Sequence, residues 1–412
     1  MTNHQLKRTL NFPMLTLYGL GTILGAGIYV LVGKVAIHAG IYAPISFLFA
    51  ALLAGLSGYS YAALSAHLPK SAGEAVYIET AFHFRPLSIL VGWMVVLTGI
   101  VSAATIANGF VGYLQVFVPI TDFWAITLLI LAMTGLAYWG VNESVWVTAA
   151  TTILGIIGLL IILAYSVPAF TTLPERLPDL TPPSSDGNIW FGILLGAFLA
   201  FYAFIGFEDM VNMAEEVKQP EITLPKAIIA AIIISSVFYY LIALAAVLQL
   251  PQAELIASKA PMADILKQHN EDMAWFVSLI SLAAIVNGAL VQIIMGARVL
   301  YGMGKHQMAP LWLAAIHPVR KTPYIATLLI GLIVWLFASQ FHLATLASIT
   351  SFIIIMVFLL VNIALIKLIY SPASKDKFTA KPWVPITGVL MSLMFLGVQV
   401  YQLISGAIVI GH

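Results

Sequence analysis

The chain has 412 residues, of which 61% are hydrophobic and only 8% are charged. Because soluble proteins carry about a quarter charged residues, this composition and a mean hydropathy of +1.01 indicate a polytopic membrane protein. The formal net charge of +1 gives no reason to expect nucleic acid as a partner. The absence of cysteine excludes disulfides, thiol catalysis and cysteine–metal sites, and we expect no cofactor and no metal centre.

Eleven stretches of the chain are apolar over roughly the 20 residues that a membrane-spanning helix needs. Helix breakers and polar residues separate them, most clearly the proline-rich run at 171–187. The polar start, 1–10, leads into a long apolar stretch without a small-residue cleavage site, so no cleavable signal peptide is expected. The predicted spans are 13–34, 41–66, 86–117, 123–140, 144–167, 189–213, 225–249, 273–302, 323–340, 345–369 and 383–407.

The placement of lysine and arginine predicts the orientation in the membrane. If the N-terminus is cytoplasmic, 14 of the 18 basic residues fall on the inner side and 4 on the outer side. Short cytoplasmic loops are enriched in lysine and arginine, so this bias supports both the direction and the spans. We therefore expect a protein of the cytoplasmic membrane, in contact with lipid, whose odd number of spans leaves the C-terminus outside.

The first span is unusually rich in glycine. Its segment Leu17–Gly33 reads LYGLGTILGAGIYVLVG and has five glycines, two of which flank Ala26 at its centre. Each glycine disfavours a helix interior by roughly 1 kcal/mol relative to alanine. The sequence therefore predicts a helix that unwinds in mid-membrane and exposes backbone groups, which lipid tolerates only where protein or a ligand satisfies them.

The sixth span has a second break, within FYAFIGFEDM, where Gly206 is followed by Glu208 and Asp209. The two breaks lie five spans apart, and because five is odd the second copy is inverted. Interrupted segments at matching positions of two inverted halves indicate a binding site at their interface. The prediction is a single transmembrane domain with a first five-helix repeat at 13–167, an inverted repeat at 189–369 and an extra span at 383–407.

A split helix presents a positive and a negative backbone end at mid-membrane, which suits a ligand with a carboxylate and an ammonium group. The amides of Gly25–Ile28 would bind the carboxylate, and the carbonyls near Ala203–Ile205 would bind the amine. The alternative is that the glycines only allow close helix packing. A dinucleotide-binding fingerprint is rejected, since neither its preceding strand nor its acidic residue is present.

Several long motifs show a family resemblance. HLPKSAGEAVYIETAF follows the second span, IGFED lies in the sixth, AEEVKQPEITLPKAI follows it, and MGARVLYGMGKHQMAP ends the eighth. From Phe12 to about Tyr370 the chain resembles the amino acid–polyamine–organocation permeases. The resemblance implies an inverted-repeat fold of the leucine-transporter type, alternating access, and amino acids or related amines as substrates. A short helix is also expected after Gly73, at the cytoplasmic interface.

The resemblance also implies a substrate site. The carboxylate-binding backbone would be that of the first break, and the amine-binding backbone that of the sixth span. Two aromatic residues of the sixth span are candidates for a gate, and an amide in span eight for a side-chain contact. The substrate-binding candidates are Ile23, Gly25, Ala26, Gly27, Ile28, Tyr202, Ala203, Phe204, Gly206, Phe207 and Gln292.

Three ways of driving transport stay open. Glu208 is an ionisable residue within a span, where a carboxylate costs at least about 2.5 kcal/mol on insertion scales, so it is a candidate for proton coupling or gating. Many proton-coupled relatives have a lysine in the fifth span, and Gly155 replaces it here. Asn287 in span eight is a candidate ligand of a sodium ion. The options are therefore sodium coupling, proton coupling through Glu208, or exchange without an ion.

The largely aliphatic and aromatic candidates favour a neutral amino acid as substrate. A cationic amino acid or a polyamine is the alternative, because Glu208 could pair with its charge. A channel is less favoured, since polar residues cluster at mid-depth, and a sensor is less favoured because no soluble domain is apparent. An enzyme is not expected, because all nine histidines fall at termini, loops or span ends and no catalytic constellation forms.

Overall fold

The structure is a computed structural model that describes residues 8–69, 73–140, 145–305, 307–372 and 380–405. Within these residues every extended regular element is a helix, and one isolated β-bridge joins Leu10 to Val217. The first helices in chain order are α1 (Phe12–Ile23), α2 (Ala26–Ala39), α3 (Ala43–His67), α4 (Gly73–Phe82), α5 (Arg85–Leu114), α6 (Asp122–Trp139), α7 (Val145–Thr171) and α8 (Leu173–Leu180). The others are α9 (Gly187–Ala200), α10 (Asp209–Asn212), α11 (Pro220–Gln249), α12 (Gln252–Ala257), α13 (Pro261–Lys267), α14 (Glu271–Lys305), α15 (Tyr324–Gln340), α16 (Leu343–Tyr370) and α17 (Trp383–Ile404).

The helices confirm a polytopic all-α membrane protein. By length and composition, 9 helical stretches of the described residues could cross a membrane. One of these, Gly27–His67, joins most of α2 to α3 across a single 3-10 turn. The apolar helices α1 and α15 are shorter, at 12 and 17 residues. The expected count of eleven spans stays a prediction.

The first predicted span is interrupted within its glycine run. α1 ends at Ile23, and α2 begins at Ala26 after two residues without helical structure. Gly25 is the N-cap of α2, with φ −59° and ψ −133°. The first amides of α2 have no acceptor inside their own helix, because the first turn of any α-helix leaves them free.

The sixth predicted span is interrupted in the same way. α9 ends at Ala200 and passes into a 3-10 turn, Phe201–Phe204, before the short helix α10. Gly206 lies between them with φ +126°, a backbone conformation that L-residues rarely adopt. Glycine is required there by backbone geometry, and a Cβ would also lie 2.8 Å from the carbonyl of Thr22.

Direct contacts hold the two breaks together. The Thr22 hydroxyl lies 2.9 Å from the carbonyl oxygens of Gly19 and Gly206, so it can donate to either helix. Tyr239 of α11 places its hydroxyl against the carbonyl oxygens of Ile23 and Ala203, the latter at 2.7 Å. One carbonyl from each interrupted helix therefore converges on a single phenol.

A backbone pairing joins the chain before α1 to the chain after α10. The amides of Thr9 and Leu10 donate to the carbonyl of Glu216 at 2.9 and 3.0 Å, and the amide of Lys218 donates to the carbonyl of Leu10 at 2.8 Å. This pairing is the isolated bridge of the fold. The two interrupted helices are therefore connected at their ends as well as at their breaks.

The short helix predicted after Gly73 is present as α4. It packs against α5 and α16, and its side chains Glu74, Tyr77 and Ile78 are buried. The Ser88 hydroxyl of α5 donates to the carbonyl of Ala75 at 2.8 Å. This helix lies in the connection between α3 and α5, and it also packs as a part of the bundle.

Candidate functional site

A cavity of about 380 Å³ lies between the two breaks. The interrupted helices supply its backbone wall, and α5 and α14 supply the opposite side. Polar side chains on the wall belong to Thr22, Ser102, Tyr202 and Gln292. The full lining is Thr22, Ile23, Gly25, Gly27, Ser102, Ile106, Tyr202, Ala203, Ile205, Gly288, Val291 and Gln292. We call this the central cavity.

Six of the residues expected to bind substrate line the central cavity. They come from the first break, the sixth-span turn and α14. Tyr202 is buried, and its hydroxyl donates to the carbonyl of Ser102 at 3.1 Å. Gly27 lies so close to Ala203 that a Cβ at Gly27 would be 2.6 Å from its Cα. The six are Ile23, Gly25, Gly27, Tyr202, Ala203 and Gln292.

The other expected residues lie behind the wall. Ile28 is buried in the core, and Phe204 packs edge-on against Tyr239 with ring centroids 4.9 Å apart. Phe207 packs against Tyr61 at 5.5 Å, so its ring contacts α3 rather than the central cavity. Gly206 contributes its carbonyl to Thr22.

Ala26 is the first residue of α2, and its side chain lies outside what the structure describes. Its predicted role rests on its backbone amide, which belongs to the free first turn of that helix. The carboxylate site at the first break stays a prediction.

Two polar residues of the cavity were missed in the sequence. Ser102 lies in the middle of α5 and its hydroxyl is 3.2 Å from that of Tyr202. Thr22 comes directly before the first break and bonds across to the second. Small hydroxyl residues in an apolar span are common at helix contacts. Ser102 and Thr22 could therefore be identified as cavity residues only from the way in which the helices pack.

Glu208 lies at a second cavity, of about 390 Å³. Its side chain is buried, and its carboxylate accepts a 2.9 Å hydrogen bond from the amide of Gly206 at the break. Gln292 lines both cavities and donates to the Asp209 carboxylate at 3.3 Å. The Gln292 side chain therefore stands between the central cavity and the two acids.

Asn287 lies at a third cavity, of about 240 Å³, behind the first break. Its neighbours there include Leu24 and the hydroxyl residues Thr151 and Thr152 of α7. Gly155 lines the same cavity and accepts a 2.8 Å hydrogen bond from the Tyr29 hydroxyl at its carbonyl. The polar side chains that line this cavity belong to Thr151, Thr152 and Asn287.

The central cavity is lined by backbone, polar and apolar groups, with no charged side chain among the residues that line it. Its electrostatics therefore come from backbone ends. The start of α2 presents free amides, which favour an anion, and the carbonyls of Ile23 and Ala203 favour a cation. Such a surface can hold a zwitterionic head group without an ionised side chain.

Another buried acid lies outside the predicted spans, in α4. Glu74 is 2% exposed, and burial raises the pKa of its carboxyl to about 7. The Tyr61 hydroxyl donates to it at 3.4 Å, a long hydrogen bond that opposes only part of this shift. The carboxyl therefore changes charge close to neutral pH.

Two interrupted helices whose backbones meet at a small cavity, inside an apolar bundle that can cross a membrane, define a membrane transport protein. A family model described as amino acid permease matches residues 10–407. The branched-chain amino acid permease of Bacillus subtilis is 29% identical over 405 residues, which cover 92% of this chain and 85% of that protein. The match to the family model shows that the chain belongs to the amino acid permease family.

Other relatives have different substrates in their names. The vacuolar cationic amino acid transporter 2 of Arabidopsis thaliana is 30% identical over 401 residues, 90% of this chain, and the match spans 61% of the plant protein. The methylthioribose transporter of Bacillus subtilis is 28% identical over 408 residues, which cover 93% of this chain and 86% of that protein. The family thus establishes a transporter of small molecules, whose side-chain preference depends on the cavity.

Proposed function

We propose that this permease carries neutral amino acids across the cytoplasmic membrane by alternating access. The observation that carries the proposal is the central cavity, which has a backbone-lined end and, among the described residues, no charged side chain on its wall. The branched-chain permease among the relatives supports a neutral substrate.

The backbone would bind the common part of every amino acid. The amides of Gly25, Ala26 and Gly27 would hold the carboxylate at the start of α2. The ammonium would bind the carbonyls of Ile23 and Ala203, which the Tyr239 hydroxyl contacts in the present structure. A phenol has a single proton to donate, so a substrate ammonium with three protons satisfies this pair of carbonyls better.

The side chain of the substrate would lie against the apolar part of the wall. Ile106 of α5 and Val291 of α14 face the cavity there, together with Ile205 beyond the 3-10 turn. This apolar part of the wall is small, because the rest of the wall has the polar side chains of Ser102, Tyr202 and Gln292. A small or branched aliphatic side chain therefore fits the lining best.

A cationic amino acid or polyamine is the second candidate, and the plant relative supports it. It would need a carboxylate at the cavity wall. The nearest candidate, Glu208, lines the second cavity and bonds the Gly206 amide, with Gln292 between it and the central cavity. This placement favours the neutral substrate.

The test is Gly25→Leu in purified protein reconstituted into liposomes. A Cβ at Gly25 meets only the carbonyl oxygens of Gly21 and Thr22 in α1, at 3.5 and 3.7 Å, so the variant is expected to fold. The rest of the leucine side chain would occupy the cavity, and we expect loss of substrate-induced thermal stabilisation and of uptake across a panel of amino acids. Gly55→Leu is the control, because a Cβ there meets nothing within 4 Å. Uptake by the Gly25→Leu protein would refute the backbone site, and stabilisation by arginine or putrescine alone would favour the second candidate.

We further propose that a proton drives uptake through Glu208. Its hydrogen bond to the Gly206 amide joins the charge of the carboxylate directly to the second break. Protonation would weaken this bond, and the geometry of the break would then depend on the proton. Sodium binding at the third cavity, with Asn287 as a ligand, is the alternative, and exchange without an ion is the other.

The remaining architecture is proposed on the same basis. Eleven spans would result if α1 with α2 forms one interrupted span, α9 with α10 forms another, and α15 crosses despite its length. The two halves, 13–167 and 189–369, would then be inverted repeats, with 383–407 outside them. The basic residues would place the N-terminus in the cytoplasm and the C-terminus outside.

A further inference from the structure

A fourth cavity, of about 420 Å³, lies where α6 ends, α15 begins and α14 passes between them. Its lining includes the cations Arg298 and Lys321, the hydroxyl residues Thr322 and Thr327, and the apolar side chains of Ile294 and Ala297. Its described lining differs in composition from that of the central cavity and shares no residue with it, although both cavities use α14. We call it the basic cavity.

The cations at the basic cavity have no described carboxylate to neutralise them. Arg298 and Lys321 are exposed, and the three salt bridges among the described residues involve other cations. No acidic side chain lines the cavity within that part of the chain. Glu143, three residues beyond Gly140, lies outside the described residues.

The acids of the three helices stand at the far ends from the cavity. Asp122 is the first residue of α6, which reaches the cavity at its last turn. Glu271 and Asp272 begin α14, more than 20 residues before Arg298, and α15 has no acid. The positive charge at this end is therefore not offset along the described helices.

A folded loop holds one wall of the cavity in place. The amide of His317 donates to the carbonyl of Thr322 at 2.8 Å, and the Thr322 hydroxyl donates to the carbonyl of Tyr138 at 3.0 Å. The Arg320 guanidinium lies over the rings of Tyr138 and Trp139, 5.0 and 4.8 Å from their centroids. This stacking adds a third cation beside the cavity.

The surface next to the basic cavity is apolar. Trp139 is 68% exposed, Leu328 is 50% exposed and Leu136 is 39% exposed. In a membrane protein these side chains face lipid, and exposed tryptophan beside basic residues is typical of the level of the head groups. The cavity thus has a cationic end and an apolar flank on the same side of the bundle.

We propose that the basic cavity binds an anionic phospholipid, with its headgroup phosphate at Arg298 and Lys321. The guanidinium can bind two phosphate oxygens at once, and the ammonium supplies a second positive charge. The acyl chains lie along Leu136 and Leu328. Basic pockets between helices at a membrane surface bind lipid head groups through this chemistry.

The test compares lipids with equal acyl chains on the detergent-purified full-length protein. Native mass spectrometry measures bound dioleoylphosphatidylglycerol against dioleoylphosphatidylcholine for the wild type, the double variant Arg298→Gln/Lys321→Gln, and Lys226→Gln. Lys226 is the control, because it is an exposed cation near the start of α11. We expect the double variant to bind the anionic lipid about thirtyfold more weakly, the fold-change for about 1 kcal/mol per basic residue, and Lys226→Gln to bind as the wild type does.

Three results would overturn the proposal. One is equal binding of both lipids by the wild type, and another is an equal loss of anionic lipid in the control variant, which would show only general surface charge. The third is competition by inorganic phosphate at concentrations comparable to the lipid, which would make the ligand a soluble anion. Arg298→Lys keeps both positive charges but loses the paired donors of the guanidinium, and it is expected to bind at an intermediate level, so that a folding defect is distinguished from loss of charge.

Discussion

Gly27 is the residue at which α2 meets the turn after α9. A Cβ there would lie 2.6 Å from the Cα of Ala203 and 2.9 Å from its Cβ, and the first of these atoms is backbone. Real Cβ atoms do not approach other heavy atoms so closely, so one of the two segments would have to move. Gly27 therefore sets the spacing of the two halves of the central cavity.

Gly27→Ala is expected to impair transport severely, because the added methyl separates the backbone groups that would bind one substrate molecule. Uptake into proteoliposomes and the melting temperature of the purified protein measure the effect. Gly135→Ala on α6 is the matched control, since a Cβ there meets nothing within 4 Å. We expect that change to be neutral or to stabilise by up to about 1 kcal/mol, the helix propensity difference. Equal transport by the two variants would contradict the role given to Gly27.

At the scale of the element, α4 combines a position at the edge of the bundle with a buried acid. Glu74 lies in its first turn, and burial raises the pKa of its carboxyl from 4.5 to about 7. The folded protein therefore holds this proton at pH values at which the unfolded chain has released it. Stability contributed by the neutral carboxyl is full below about pH 4.5, falls as the pH rises to about 7, and is constant above that.

Glu74→Gln replaces the carboxyl by a neutral group of the same size. Near about pH 4.5 the variant is expected to be as stable as the wild type. At about pH 8 its free energy of unfolding is expected to be higher by up to about 3 kcal/mol, because one pKa unit corresponds to about 1.4 kcal/mol. Thermal unfolding in detergent at the two pH values measures the difference. Glu79→Gln changes an exposed acid of the same helix and is the control for the loss of a carboxylate from α4. An equal stability difference between variant and wild type at both pH values would refute the raised pKa of Glu74.

The existence of α4 could be predicted from the sequence, but its burial could not. The motif after Gly73 combines polar and apolar residues, which we interpret as a short amphipathic helix at an interface. Whether Glu74 faces solvent or protein depends on where α5 and α16 lie, and only their packing against α4 decides that. The short helices α8, α12 and α13 were missed for a related reason, because they lie in polar connections without a long apolar period.

For the whole molecule, the two breaks were the most predictable feature. Glycine at the first break and an acid pair beside the second are local signals that need no knowledge of neighbours. The lining of the central cavity was less predictable, because Ser102 and Thr22 face it only through the way that α5 and α1 pack. Phe207 shows the converse. Its place in the sixth-span motif suggested that its ring faces the central cavity, but the ring lies against Tyr61.

The driving ion is also a property of the whole molecule, because it requires that one site be coupled to another. We expect Glu208→Gln to abolish accumulation of substrate driven by a pH gradient while exchange of internal for external substrate continues. Asn287→Leu is expected to leave the pH-driven uptake in place. Transport assays in proteoliposomes under imposed proton or sodium gradients measure both. Loss of sodium-driven uptake in Asn287→Leu, with Glu208→Gln unaffected, would assign the coupling to the third cavity.

The backbone pairing between Leu10 and Val217 has a mechanical consequence. It joins the segment before α1 to the segment after α10, and the Thr22 hydroxyl joins the same two interrupted helices at their breaks. Both attachments oppose rotation of one interrupted helix about the other. We expect the two interrupted helices to move together while both attachments hold.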